Sequence, residues 1–179
     1  MILKAGLGFI FLFFLFTAGM FLRMNEKNLS FWEKLPRNKT AGGITGLLAL
    51  LAFIPNVKPL FSPEENLYWL IPAAVILTAL CYRYLDHLFA RSSAGAMILL
   101  VHAMLSETFT ANLKYSGFFA ALSLIAGTYA IFIGGKPYWL RDSFRAMCHS
   151  FRWRLLGSVF SILWSISALI LLIQLIGKK

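Results

Sequence analysis

Six long apolar runs constrain this chain more than any other feature of its sequence. They cover residues 5–22, 41–57, 67–84, 88–105, 115–133 and 155–176. Each run is close to the ~20 residues that a helix needs to cross ~30 Å of hydrocarbon. The sequence therefore predicts an all-α, polytopic transmembrane bundle of six spans, with residues 1–179 forming one domain. A bundle of five spans with one re-entrant run is the alternative, because the second run is short and ends at Pro55 and Asn56.

The composition agrees with a membrane protein. The chain is 59% hydrophobic and 13% charged, whereas a soluble domain is roughly half apolar and about a quarter charged. The net charge of +10 would suggest nucleic acid in a soluble protein. In a membrane protein, lysine and arginine instead collect in cytoplasmic loops and meet anionic lipid headgroups, so no nucleic-acid partner is expected.

The basic residues alternate between loops. The odd-numbered loops hold twelve of the seventeen lysines and arginines, and the even-numbered loops hold two. By the positive-inside rule, the odd loops face the cytoplasm and both termini lie outside. Compact loops and this regular alternation favour a bacterial cytoplasmic (inner) membrane. The first run lacks a small-residue cleavage site, so it is interpreted as a retained span and not a signal peptide.

The segment before the last span, residues 137–153, has the pattern of an amphipathic helix. Its apolar residues recur at spacings of four, three and four, and they are Leu140, Phe144, Met147 and Phe151. Three arginines lie to one side of that face, namely Arg141, Arg145 and Arg152. The pattern predicts a short helix at the cytoplasmic interface. The favoured interpretation is that it anchors the last span, and the functional alternative is that its arginines contact lipid headgroups or a partner protein. Residues 30–33 match a capping box and predict a second short helix in the first loop.

The turn between the third and fourth spans is the weak catalytic candidate. It holds Arg83, Asp86, His87 and Arg91. On a helix the first three would lie within one turn of each other. Arginines with a carboxylate and an imidazole can hold a phosphate and move a proton. The structural alternative is a tight turn with an internal Asp–Arg pair, and it is favoured.

Two ionisable residues, His102 and Glu107, belong to the fourth apolar segment and its outer end. Ionisable groups inside a membrane are costly and therefore suggest function, although a neutral histidine bonded between helices is an equally simple explanation. Small residues at helical spacing, Gly42 with Gly46 and Ser92 with Ala96, predict close helix packing. The histidines and cysteines have neither zinc spacing nor a shared depth for haem, so no metal or cofactor is predicted.

Three functions remain open at this stage. The leading one is a non-enzymatic subunit or scaffold of a membrane complex, because the loops are short and two of them are basic and amphipathic. The first alternative is a small-solute transporter or substrate-binding membrane component, with a polar pocket near His102. The second alternative is a membrane enzyme that acts on a lipid-linked phosphate through the turn at Asp86 and His87.

Overall fold

The computed structural model describes residues 2–57 and 66–177. The described residues form eight α-helices and no strand: α1 (Ile2–Leu22), α2 (Leu29–Lys34), α3 (Lys39–Val57), α4 (Leu70–Tyr84), α5 (Leu88–Thr110), α6 (Ser116–Gly135), α7 (Tyr138–His149) and α8 (Phe151–Gly177). Short 3₁₀ turns precede α2, α3 and α4. Six of the helical segments are long and apolar enough to cross a membrane, which confirms the predicted all-α bundle.

The pair α1 and α8 is the most extensive helix contact of the bundle. Its core holds Leu7 and Ile10 of α1, both fully buried, and Trp164 of α8, which is 1% exposed. The rings of Phe14 and Trp164 lie 4.1 Å apart between centroids. Because lipid is as apolar as these side chains, close packing of this kind holds the pair together where the hydrophobic effect cannot.

Serines of α8 add polar contacts to the same pair. Ser158 Oγ donates to the carbonyl oxygen of Ala18 at 3.2 Å, and Ser165 Oγ donates to that of Phe11 at 2.9 Å. Interhelical hydrogen bonds of this kind contribute about 0.6 kcal/mol each on average inside a membrane. They fix the register of two helices from opposite ends of the chain.

The backbones of α3 and α5 approach each other closely. A Cβ atom built on Gly42 would lie 2.4 Å from the backbone nitrogen of Phe89, and one on Gly46 would lie 3.0 Å from Ser92 Oγ. The predicted close packing at Gly42 and Gly46 is therefore confirmed. Since α3 and α5 run in the same direction, their N-termini meet at one end of the bundle.

That end also holds α2, α7 and the loops richest in lysine and arginine, and we call it the basic end. Helix α5 is the centre of the bundle, since it contacts α3, α6 and α1. Helix α4 is peripheral and packs mainly on α3. In the most apolar 18-residue stretch of the segment Leu67–Tyr84, which contains α4, only 6% of the residues are buried. The corresponding share for α6 is 44%.

Substitution of Gly42 by alanine should destabilise the protein. The new methyl group would meet the Phe89 backbone, which cannot move aside as a side chain can, and overpacking of this kind costs about 1–3 kcal/mol. Gly95→Ala is the matched control, because a Cβ there meets nothing within 4 Å. Thermal unfolding in mild detergent should show a lower midpoint for Gly42→Ala alone. Equal midpoints for the two variants would contradict the close approach of α3 and α5.

Candidate functional site

The connection between α1 and α3 contains α2, and the connection between α6 and α8 contains α7. These two connections pack together into one layer at the basic end. We call the layer formed by residues 24–34 and by α7 the basic-end platform. Trp32 of α2 and Phe144 of α7 are both buried, and their ring centroids lie 5.4 Å apart. Met24, Leu140 and Cys148 complete the buried side of this layer. The platform therefore has an apolar core of its own, continuous with the bundle.

An ion pair and hydrogen bonds join the two halves of the platform. Arg145 contacts Glu33 at 2.6 Å, and His149 Nδ1 lies 3.1 Å from the carboxylate of Glu26. Arg154 donates to the carbonyl oxygen of Met24. Surface ion pairs contribute at most about 1 kcal/mol each, so the apolar core holds the layer together and these polar contacts align it.

The predicted amphipathic segment is shorter than the sequence suggests. Helix α7 ends at His149, Ser150 is extended, and α8 begins at Phe151. Phe151 is 63% exposed and does not share the apolar face, whose third buried position is taken by Cys148. The apolar face does not extend to Phe151 as predicted, because the pattern assumes one continuous helix whereas the backbone turns at Ser150.

The three predicted headgroup arginines have different surroundings. Arg145 pairs with Glu33, and Arg141 pairs with its neighbour Asp142 at 2.9 Å. Arg152 lies in α8 and is exposed. Two of the three positive charges are therefore partly neutralised by the protein itself. Burial raises the pKa of the Cys148 thiol above its ordinary value, the charge of Arg154 lowers it and the charge of Glu33 raises it, so the thiol is protonated at neutral pH.

A concavity lined by charged and polar side chains lies beside the platform. Arg37 and Lys39, which precede and begin α3, line a pocket of about 290 Å³ together with Asp86 and His87, which precede α5. We call it the basic-end pocket. The close approach of α3 and α5 at Gly42 explains why these two loops meet there. Both helix N-termini lie at this pocket, and their dipoles add to its positive potential.

His87 has an unusual backbone. Its φ of 55° and ψ of 40° lie in the left-handed region, where residues other than glycine are uncommon. Its Nδ1 is buried and has no hydrogen-bond partner among the residues that the structure describes. Its side chain does not cap α5. The imidazole is therefore held at the pocket with a hydrogen-bonding atom unused.

An apolar groove adjoins this pocket between α3, α4 and α5. It has a volume of about 240 Å³ and is lined largely by small or apolar side chains. Its walls include Gly42, Gly46, Thr78, Gly95 and Leu99. Leu88 and Arg91 line its basic end. Leu88 directly follows His87 in sequence. The groove and the basic-end pocket are therefore neighbours at the start of α5.

The structure does not bring Arg83 and Arg91 into the pocket with Asp86 and His87. Helix α4 ends at Tyr84, so Arg83 does not share a helical turn with Asp86 and His87, and its guanidinium lies 6.0 Å from the ring centroid of Tyr84. No ion pair joins Asp86 to an arginine within the described ranges, which contradicts the internal pair of the structural alternative. Arg91 lines the groove instead of the pocket.

His102 and Glu107 are exposed on α5. The imidazole of His102 lies near Phe53 of α3, with 6.4 Å between ring centroids. Among residues 2–57 and 66–177, no group of three His, Cys, Asp or Glu side chains is arranged to hold a metal ion.

Sequence reasoning did not single out Arg37 and Lys39. Both were counted as ordinary loop charge, because nothing local distinguishes them from Lys27 or Lys34 in the same loop. The sequence feature that could have identified them is their position at the start of a helix with a GxxxG motif. Such a helix packs closely on a neighbour, so its first residues lie near that neighbour. No protein-family model, curated protein or solved structure matches this chain.

Proposed function

We propose that this protein is a non-enzymatic subunit of a membrane complex, and that it binds an anionic group at its basic end. The observation that carries the anion-binding part of the proposal is the basic-end pocket. There, two cationic side chains from the first loop meet Asp86 and His87 from another loop. A guanidinium and an ammonium together form charge-assisted hydrogen bonds with an anion, which are about twice as strong as neutral ones.

The basic-end platform supports the subunit part of the proposal. Its apolar core and polar contacts give it a fixed shape. Lys27 and Lys34 remain exposed on it, and Arg152 is exposed at the start of α8. A fixed surface with free positive charge suits an acidic surface on a partner subunit, because charge complementarity raises association rates and specificity. The paired Arg141 and Arg145 contribute less to such a contact.

The proposed orientation puts the basic end in the cytoplasm and both termini outside, in a bacterial cytoplasmic membrane. It rests on the positive-inside rule, since the loops at the basic end carry most of the lysines and arginines. Anionic lipids of the cytoplasmic leaflet would then surround the platform.

A second candidate function is an enzyme that acts on a lipid-linked phosphate. It is favoured by one observation, which is that Asp86 and the unpaired His87 Nδ1 share the pocket with Arg37 and Lys39. A carboxylate and an imidazole are the usual groups for proton transfer. The transporter alternative stays a prediction tied to His102.

Purification of the tagged native protein in mild detergent, followed by mass spectrometry, tests the subunit proposal. We expect partner proteins in fixed ratio to the chain. Lys27→Gln with Lys34→Gln should weaken their retention, because both charges lie on the platform. Arg37→Gln with Lys39→Gln is the control of equal charge and should retain the partners. A chain that purifies alone under these conditions contradicts the proposed subunit role.

Accessibility of single introduced cysteines tests the orientation. Cys81→Ser and Cys148→Ser provide a background without the native thiols. In whole cells, a membrane-impermeant maleimide should label Lys114→Cys, which lies between α5 and α6 at the opposite end. It should label Ser30→Cys of α2 only after the membrane is opened. The reverse pattern would overturn the orientation.

A further inference from the structure

The apolar groove indicates what kind of molecule carries the anionic group, an inference that rests on the proposed anion binding. A free anion such as phosphate needs the basic-end pocket alone. The groove, however, begins where the pocket ends: Gly42 lies one turn after Lys39 on α3, and Leu88 follows His87 directly. A ligand with a charged head and an apolar tail would occupy both.

The length of the groove matches one leaflet of a bilayer. On α5 its lining runs from Leu88 to Leu99, about 16 Å at 1.5 Å per residue. This is roughly half of the ~30 Å hydrocarbon core. Gly95 leaves room for a chain, because an added Cβ there would meet nothing within 4 Å, and the peripheral α4 forms the outer wall.

The charges of the pocket indicate the headgroup. Arg37 and Lys39 provide two positive charges and Asp86 one negative charge, so a ligand with one negative charge balances the pocket. A phosphodiester has that single charge. Asp86 repels a further anionic charge but accepts a hydrogen bond from a hydroxyl group, and His87 Nδ1 can take part in another.

We propose that the basic-end pocket and the adjoining groove bind one phosphodiester lipid with a hydroxyl-bearing headgroup. Arg37 and Lys39 hold its phosphate, Asp86 and His87 contact the headgroup hydroxyls, and one acyl chain lies between α3, α4 and α5. The lipid belongs to the leaflet at the basic end.

Lipid retention measured by native mass spectrometry tests this proposal. The protein is released from phosphatidylcholine nanodiscs that contain equal minor fractions of phosphatidylglycerol, phosphatidate and phosphatidylethanolamine. We expect one phosphatidylglycerol to be retained in preference to the others. Arg37→Gln with Lys39→Gln should reduce its retention about tenfold or more, because two charge-assisted hydrogen bonds are lost. Lys27→Gln with Lys34→Gln removes the same charge from the platform and should leave retention unchanged.

Two further changes test the groove and the headgroup separately. Gly95→Leu should fill the groove and displace the lipid, whereas Gly19→Leu, on an exposed part of α1, should not. Thr78→Leu fills the same groove from α4 and serves if Gly95→Leu lowers the unfolding midpoint. Asp86→Asn removes the repelling charge and should raise retention of phosphatidate relative to phosphatidylglycerol.

Inorganic phosphate separates failure of this inference from failure of the proposed anion binding. Phosphate should raise the unfolding midpoint of delipidated protein, and Arg37→Gln with Lys39→Gln should abolish the effect. If phosphate stabilises the protein but no lipid is retained and Gly95→Leu has no effect, the lipid inference is overturned and the anion pocket stands. If neither the stabilisation by phosphate nor the retention of lipid depends on Arg37 and Lys39, both the lipid inference and the proposed anion binding are overturned.

Discussion

The contact between α3 and α5 at Gly42 is the constraint on which the basic end depends. A side chain at that position would meet the Phe89 backbone, so only glycine lets the first turns of the two helices touch. Their contact brings the loop before α3 against the turn before α5. The basic-end pocket is the direct result, because Lys39 begins α3 and His87 immediately precedes α5.

The long contact between α1 and α8 organises the other side of the bundle. It brings the first and last helices together. The segment that follows α1 and contains α2 therefore lies beside the segment that precedes α8 and contains α7. Glu33 and Arg145 can pair only because of this closure, since 112 residues separate them. The α1–α8 side is closely packed, whereas the side formed by α3, α4 and α5 has an open apolar groove.

The spans were predictable because membrane insertion depends on local composition. Every predicted run falls within or overlaps a helix, although α5 continues to Thr110 beyond the predicted end at residue 105. The capping box at residues 30–33 predicted a helix where α2 lies, but Asn28 and not Ser30 occupies the N-cap. The break at Ser150 was missed because an amphipathic pattern carries no information about where a helix bends. The pocket was half predicted, since Asp86 and His87 are local to one turn whereas Arg37 and Lys39 join them only through the fold.

Cross-linking across the basic-end pocket tests whether the contact between α3 and α5 brings the two loops together. Lys39→Cys with Asp86→Cys, in a chain without the native cysteines, should react with a short thiol-specific cross-linker in native membranes. Lys34→Cys with Asp86→Cys is the matched pair from the same loop but outside the pocket, and it should not react. We expect efficient cross-linking of the first pair alone. Equal reaction of both pairs, or none of either, would contradict the pocket and the functions built on it.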